Sequence, residues 1–298
     1  MLANMISYDT IKQYCQTFSN QTMHPLISIV DLGLSKPLPR TKFQMGFYAI
    51  IFKDTHCGDL RYGNRYYDYS EGTIVFFGPG QIIASEPEGE LHQPYGKALV
   101  FHPDLIKGTS LGKHIHEYTF FSYQSNEALH VSERERDILS SYMTLIFTEI
   151  NQNIDKHSKK LIVSNLEILL DYCTRFYERQ FITRVEANKG ILQSFDENLT
   201  AYIYSNQLSF NGLPSVSYFA DKLHLSPNYF GDLVKKETGK TALEYIQLKL
   251  LDVAKEKVLD TTKSLSEISY ELGFKYPQHF TRFFKQKTGI TPHEYRLN

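Results

Sequence analysis

The chain has 298 residues and a formal net charge of −1; 42% of its residues are hydrophobic and 22% are charged. This balance excludes long-range disorder and a uniformly basic nucleic-acid binder, and the length predicts two domains. Apolar runs such as Ile74-Val75-Phe76-Phe77 fall far short of the ~20 residues of a membrane span, so no membrane partner is expected.

In chain order, residues 1–11 are interrupted by Asn4, Ser7, Tyr8 and Asp9 and lack a basic head, so they do not read as a signal peptide. From His24 to His102 the sequence reads as strands. Short aromatic or β-branched runs at 43–52, 58–62, 65–69, 73–77 and 97–101 are punctuated by Gly63-Asn64 and Gly78-Pro79-Gly80. Such spacing predicts an antiparallel barrel or sandwich. Cys15, Cys57 and Cys173 are far apart, which fits a reducing cytoplasm and excludes a disulfide framework or a cysteine-rich zinc site.

After Pro103 the period changes. Ser132 with Glu135 three residues later is a helix start. Ile138, Leu139, Tyr142, Leu145, Ile146 and Ile150 form one helical stripe, and Leu161, Ile162, Leu166, Leu169, Leu170 and Cys173 a second. Two such helices pack on each other, on the barrel, or on a second copy of the chain; a homodimer through residues 132–181 is the expectation. The polar residues 184–190 read as a linker.

Candidates for chemistry are few in this half. His114-Ile115-His116 followed by Glu117 is the one His-x-His, but it lies beyond the barrel-like region and its histidines share no helix face. No Ser-His-Asp order, phosphate loop or carboxylate pair stands out. The expectation is therefore no catalytic residue, no metal and no cofactor, hence not an enzyme. Tyr62, Tyr66, Tyr67, Tyr69, Phe76 and Phe77 alternate faces, either as ordinary core or as the wall of a pocket for a small apolar or aromatic effector. Arg61 and Arg65 either hold a carboxylate there or face outward. The candidate effector set is Arg61, Tyr62, Arg65, Tyr67 and Phe76.

Charge is uneven. Residues 1–194 hold 19 Lys+Arg against 21 Asp+Glu, whereas residues 235–298 hold 12 against 8. The basic end carries an internal repeat. Residues 215–227 are echoed from Ser264 onward at an offset of 49. After one inserted residue, Phe230 matches Phe280, Thr238-Gly239 matches Thr288-Gly289, and Glu244-Tyr245 matches Glu294-Tyr295. In each copy Ser215 or Ser264 caps a short helix and His224 or Gly273 supplies a tight turn. Pro227 or Pro277 then opens a second helix that stops at Gly239 or Gly289. Each copy is a helix-turn-helix. Between them, residues 242–260 have helical spacing and make a rod of about 28 Å. Successive major-groove faces of DNA are about 34 Å apart, so such a rod suits two recognition helices on one side of a duplex.

The phrases Lys235-Lys236-Glu237-Thr238-Gly239-Lys240-Thr241, Tyr270-Glu271-Leu272-Gly273-Phe274 and Pro277-Gln278-His279-Phe280-Thr281-Arg282-Phe283-Phe284-Lys285 carry a specific likeness. Residues 191–298 resemble the DNA-binding domain of the AraC/XylS family of bacterial transcription regulators. The N-terminal part is similar, weakly, to the cupin-type sensor domains often joined to it. The resemblance implies promoter DNA and RNA polymerase as partners.

On the outward face of the second helix of copy one lie Asn228, Gly231, Asp232 and Lys235; in copy two, Gln278, Thr281, Arg282 and Lys285. Gln278 and Asn228 suit adenine, Arg282 suits guanine, and Asp232 either accepts from cytosine or repels phosphate. Lys236 and Lys275 are phosphate candidates, as are Lys240 and Lys287. The resemblance places base-reading residues on these same faces and adds His279.

The expected architecture is α+β. A cupin-like antiparallel barrel with a dimerising helical region occupies residues 1–184, and an all-α domain with two helix-turn-helices joined by a long helix occupies residues 191–298. The expected function is a cytoplasmic, sequence-specific DNA-binding transcription regulator modulated by a small-molecule effector. A cupin-type metalloenzyme fused to a DNA-binding domain, and a regulator without an effector, are the alternatives.

Overall fold

The computed structural model describes residues 4–39, 41–53, 61–62, 65–66, 72–84, 91–123, 127–183 and 185–297. The chain divides into two units, Met1–Thr183 and Arg184–Asn298.

Unit 1 begins with β1 (Asn4–Tyr8) and α1 (Ile11–Thr17), followed by the strands β2 (Ile27–Asp31), β3 (Leu38–Pro39), β4 (Thr41–Met45), β5 (Tyr48–Lys53), β6 (Arg61–Tyr62), β7 (Arg65–Tyr66), β8 (Thr73–Phe77), β9 (Ile82–Ala84), β10 (Leu91–His92) and β11 (Lys97–Phe101). Then come α2 (Pro103–Ile106), α3 (Ser110–His114), β12 (Leu129–His130), α4 (Glu133–Ile150) and α5 (Ser158–Thr183). Five strands form one sheet in the order β12-β8-β5-β11-β2, and β1-β4-β9 form another.

Two expectations need correction. The run 43–52 is not one strand. Gly46 donates its N–H to Tyr8 O at 2.9 Å and Phe47 is fully buried, so the chain breaks there and passes from the three-stranded to the five-stranded sheet. The pairing is also not purely antiparallel, because β1 runs parallel to β4, with α1 and β2 in the connection between them. Of the runs 58–62 and 65–69, only the β6–β7 ladder lies within the described residues.

Strand β8, inside the five-stranded sheet, is buried on both faces, which is why it reads as an unbroken apolar run and not an alternating one. One face packs Val30, Ala49, Val75, Phe77, Ala98 and Val100 against Tyr8, Met45 and Phe47. The other carries a cluster of rings: Phe101 stacks on Tyr48 at 4.8 Å, Tyr48 lies edge-on to Phe121 at 4.9 Å, and Phe76 lies tilted 4.4 Å from Phe120.

The helix stripes are largely internal. Leu139, Ile146 and Ile150 of α4 and Ile162, Leu166, Leu169, Leu170 and Cys173 of α5 are buried, while Leu145 and Leu161 stay exposed. Near its end α5 grips β12. Gln180, 1% exposed, accepts from His130 N–H at 2.7 Å and donates to Ala128 O at 3.1 Å. Arg179 beside it forms a two-pronged pair with Glu135, whose carboxylate also closes the Ser132 capping box of α4.

Unit 2 is all helix: α6 (Val185–Tyr204), α7 (Gln207–Asn211), α8 (Val216–Lys222), α9 (Pro227–Thr238), α10 (Ala242–Val258), α11 (Leu265–Glu271), α12 (Pro277–Thr288) and α13 (Pro292–Leu297). The polar stretch expected to be a linker is helical from Val185. Asn188 there is 1% exposed and donates to Glu237 Oε1 at 3.2 Å, so its polarity serves a contact with α9. The buried ring of Phe195 gathers this half, lying 4.9 Å from Phe230, 5.2 Å from Phe219 and 5.4 Å from Tyr245. Tyr245 donates to Asp196, which also pairs with Lys249 at 2.7 Å. Burial and that hydrogen bond push the Tyr245 hydroxyl up to about 12.

Gln180→Ala is expected to lower unfolding stability by about 1–3 kcal/mol, because it leaves a buried N–H and a buried carbonyl without their partner. A urea titration of the full chain reads this directly; an unchanged midpoint would show that water replaces the side chain.

Candidate nucleic-acid interface

The two helix-turn-helices are built by the same local rules. Ser215 caps α8 by accepting from Tyr218 N–H, and Ser264 caps α11 within a full capping box with Glu267. The turns pass through His224 at φ 57° and Gly273 at φ 81°. Pro227 and Pro277 occupy the first turn of α9 and α12, where a missing N–H leaves no bond unmade. Both helices stop at left-handed glycines, Gly239 and Gly289.

The cassette continues past the stop. Thr241 and Thr291 each exchange hydrogen bonds with Glu244 and Glu294 three residues on, opening α10 and α13. Bonds from the threonine N–H and hydroxyl hold both carboxyls below the usual glutamate range. The rod α10 has 17 residues, about 26 Å. It ends at Val258, shorter than the expected 242–260, because Arg296 of α13 donates to Val258 O at 2.7 Å and Asp260 O at 3.2 Å. Glu271 of α11 pairs with Lys257 of the rod at 2.8 Å and with Lys263 at 2.5 Å, which keeps its carboxyl ionised below the usual range. The second helix-turn-helix is thereby tied to the rod.

The candidate reading faces are outward, as the stripe implies. On α9, Asn228, Lys235 and Lys236 are exposed, and Gly231 and Asp232 are half-buried. On α12, Gln278, His279, Thr281, Arg282 and Lys285 are exposed, and Lys275 is exposed in the turn before it. Phe280 and Phe284 face inward, and Phe283 is half-buried. Thr281 donates its hydroxyl proton to Pro277 O at 3.2 Å, so outward it offers a methyl and an acceptor oxygen.

Three features escape a reading of spacing. Gly231 sits mid-helix, and a Cβ there would meet no atom within 4 Å, so the protein's own packing does not demand glycine. Tyr276, at the start of α12, makes no side-chain cap; its ring lies 5.4 Å from that of His279 with Lys275 Nζ 5.8 Å from its centre. It joins two of the candidate contacts, and an exposed aromatic between them was the available signal. Gly273 is required for space as well as conformation, since a Cβ would lie 2.8 Å from Leu208 O.

In unit 1, the candidate effector residue Phe76 is 3% exposed within the ring cluster on the helix-facing side of the sheet. Arg61, Tyr62 and Arg65 lie on the β6–β7 ladder, and Tyr67 falls outside the described residues. His114 ends α3, with Nδ1 3.1 Å from Ser110 O, and His116 lies in the following turn. Among the described residues no three His, Cys, Asp or Glu side chains are grouped to hold a metal, and no helix is long and apolar enough to cross a membrane.

A family model described as a helix-turn-helix domain matches residues 219–298. YobQ, an uncharacterized helix-turn-helix-type transcriptional regulator of Bacillus subtilis, is 35% identical over 112 residues, 38% of this chain and 45% of YobQ. The Transposon Tn10 TetD protein of Escherichia coli is 32% identical over 145 residues, 49% of this chain and 92% of that protein. The solved C-terminal domain of the two-component response regulator yesN from Fusobacterium nucleatum is 29% identical, covering 37% of this chain and 98% of that one, with a TM-score of 0.31. The chain spans less than half the length of the first curated relatives it matches.

Gly231→Ala is expected to raise unfolding stability by about 0.5–1 kcal/mol, since alanine loses less backbone freedom in a helix and the site is open. Urea unfolding measures it; a loss of stability would mean the added methyl meets an obstruction.

Proposed function

The chain belongs to the AraC/XylS family of helix-turn-helix transcription regulators, and we propose that it binds promoter DNA by laying α9 and α12 into successive major-groove faces. The observation that carries this is the recurrence of one cassette at both ends of the capped rod α10, each copy turning a polar helix face outward. Arg282 presents a two-donor fork suited to guanine O6 and N7, and Gln278 an amide suited to adenine. Lys235, Lys236, Lys275 and Lys285 position the helices through phosphates.

The two copies differ in chemistry. The α9 face combines a glycine with an aspartate, and Asp232 acts as a gatekeeper that weakens binding to non-cognate phosphate. Specific readout falls mainly to α12. Unit 1 senses a small molecule and carries the dimer contact, through large apolar residues that α4 and α5 leave exposed, among them Leu145 at 51% and Leu161 at 48%. RNA polymerase is the partner at the promoter.

The test is a binding titration of the full chain on a duplex selected from random sequence. Affinity should fall steeply with salt, with Arg282→Ala costing about 1–3 kcal/mol on the selected site and relaxing preference at one base pair. Lys236→Ala should weaken all sequences alike and lower the salt slope by about one. Asp232→Ala should tighten both selected and scrambled duplexes; selective loss on the selected site would make Asp232 a base reader. Salt-independent binding would overturn the reading as a whole. Sedimentation should show a dimer that Leu145→Glu with Leu161→Glu weakens, and a monomer at all concentrations would remove the dimer.

A further inference from the structure

The five-stranded sheet and α4 enclose a groove that the buried core does not fill. Its floor is one straight cross-strand row, because the register aligns Asp31 of β2 with Lys97 of β11, Lys97 with Phe52 of β5, and Phe52 with Ile74 of β8. Its roof is one stripe of α4 with the spacing of a helix face: Arg136, Ser140, Met143, Thr144 and Phe147. This stripe lies beside the apolar one that packs the helix and shares the buried Met143 with it. The groove holds two adjoining hollows of about 350 and 210 Å³, which share Lys97, Ser140 and Met143. The larger is at the lower end of the range of small-molecule sites.

The chemistry of the two hollows differs. Ile29, Met143 and Phe147 give the larger its apolar wall, Asn20 and Asp31 line its polar edge, and Thr144 there has already donated its hydroxyl proton to Ser140 O. The smaller is lined by both Lys97 and Arg136. Lys97 is exposed and stands directly opposite Asp31, yet the two form no ion pair: Asp31 turns its carboxylate to Gly33 N–H at 2.9 Å. Neither Lys97 nor Arg136 has a side-chain hydrogen bond or ion pair among the described residues. Two cations on opposite walls of one hollow, next to an apolar trough, match a molecule with an anionic head and a short apolar body.

We propose that this groove, and not the strands carrying Arg61 and Arg65, is the ligand site of unit 1, and that it takes a small amphipathic carboxylate. The carboxylate bridges Lys97 and Arg136 while the apolar body lies along Ile29, Met143 and Phe147. The proposal rests on reading unit 1 as a sensor and adds to it a place and a chemical class. Because the ligand touches α4 along three turns, occupancy bears directly on the helix that leads into α5.

The test is calorimetric titration of the full chain with straight-chain monocarboxylates of roughly four to ten carbons, a size the hollow admits, beside the primary alcohols of the same length. At least one carboxylate should bind saturably at one site per chain. Its matched alcohol, and the Lys97→Ala/Arg136→Ala variant, should each bind at least about tenfold more weakly. Thr144→Trp, which fills the trough from an exposed position, should abolish binding, with thermal unfolding confirming that each variant is folded. Absence of saturable carboxylate binding overturns the proposal, as does binding that the alcohol matches or that the variants leave unchanged. Duplex binding by the same samples reports the regulator reading separately, so either can fail alone.

Discussion

Everything in the DNA-binding unit depends on a chain reversal through a single left-handed residue in each helix-turn-helix. Gly273 does this at φ 81°, and His224 does it at φ 57°. An L-residue with a side chain is disfavoured there, although histidine tolerates the region better than most. The two sites differ in how firmly they are fixed. His224 is exposed and has room for its ring. Gly273 is pressed against α7 and the glycine that follows it, with Leu208 O 2.8 Å and Gly212 Cα 3.2 Å from where a Cβ would stand. The angle between the two helices of the second copy is therefore held from outside as well as by its own backbone.

That difference runs through the rest of the unit. The second copy is anchored to the rod by Glu271 with Lys257 and Lys263, and closed by Arg296 on the last carbonyls of α10. It also carries the more basic face. The first copy is held instead through aromatic packing on Phe195 and the Asn188–Glu237 bond from α6. A rigid, basic second copy and a less charged first copy suit a division in which one helix specifies the site and the other sets register along the groove.

Much of unit 2 was legible in the sequence because each feature has a local cause. Serine caps, first-turn prolines and glycine stops are decided by residues within four positions of one another, and the structure makes each of them. What escaped depends on distant contacts. The end of α10 is set by Arg296, 38 residues beyond Val258. Residues 185–190 are the first turns of the long helix α6, with Asn188 bonded to the distant Glu237, and the grouping of Lys275 with His279 comes from Tyr276. Unit 1 was less legible for the same reason. The parallel pairing of β1 with β4 joins segments 37 residues apart. The groove residues become neighbours through strand register, which no periodicity within a single strand reveals.

The most direct measurement is hydroxyl-radical footprinting of the full chain on a selected duplex. Two recognition helices at the ends of one rod should protect two patches on one side of the DNA, about one helical turn of 10–10.5 base pairs apart. A single protected patch no wider than one groove, unchanged when α9 is disrupted, would contradict tandem engagement.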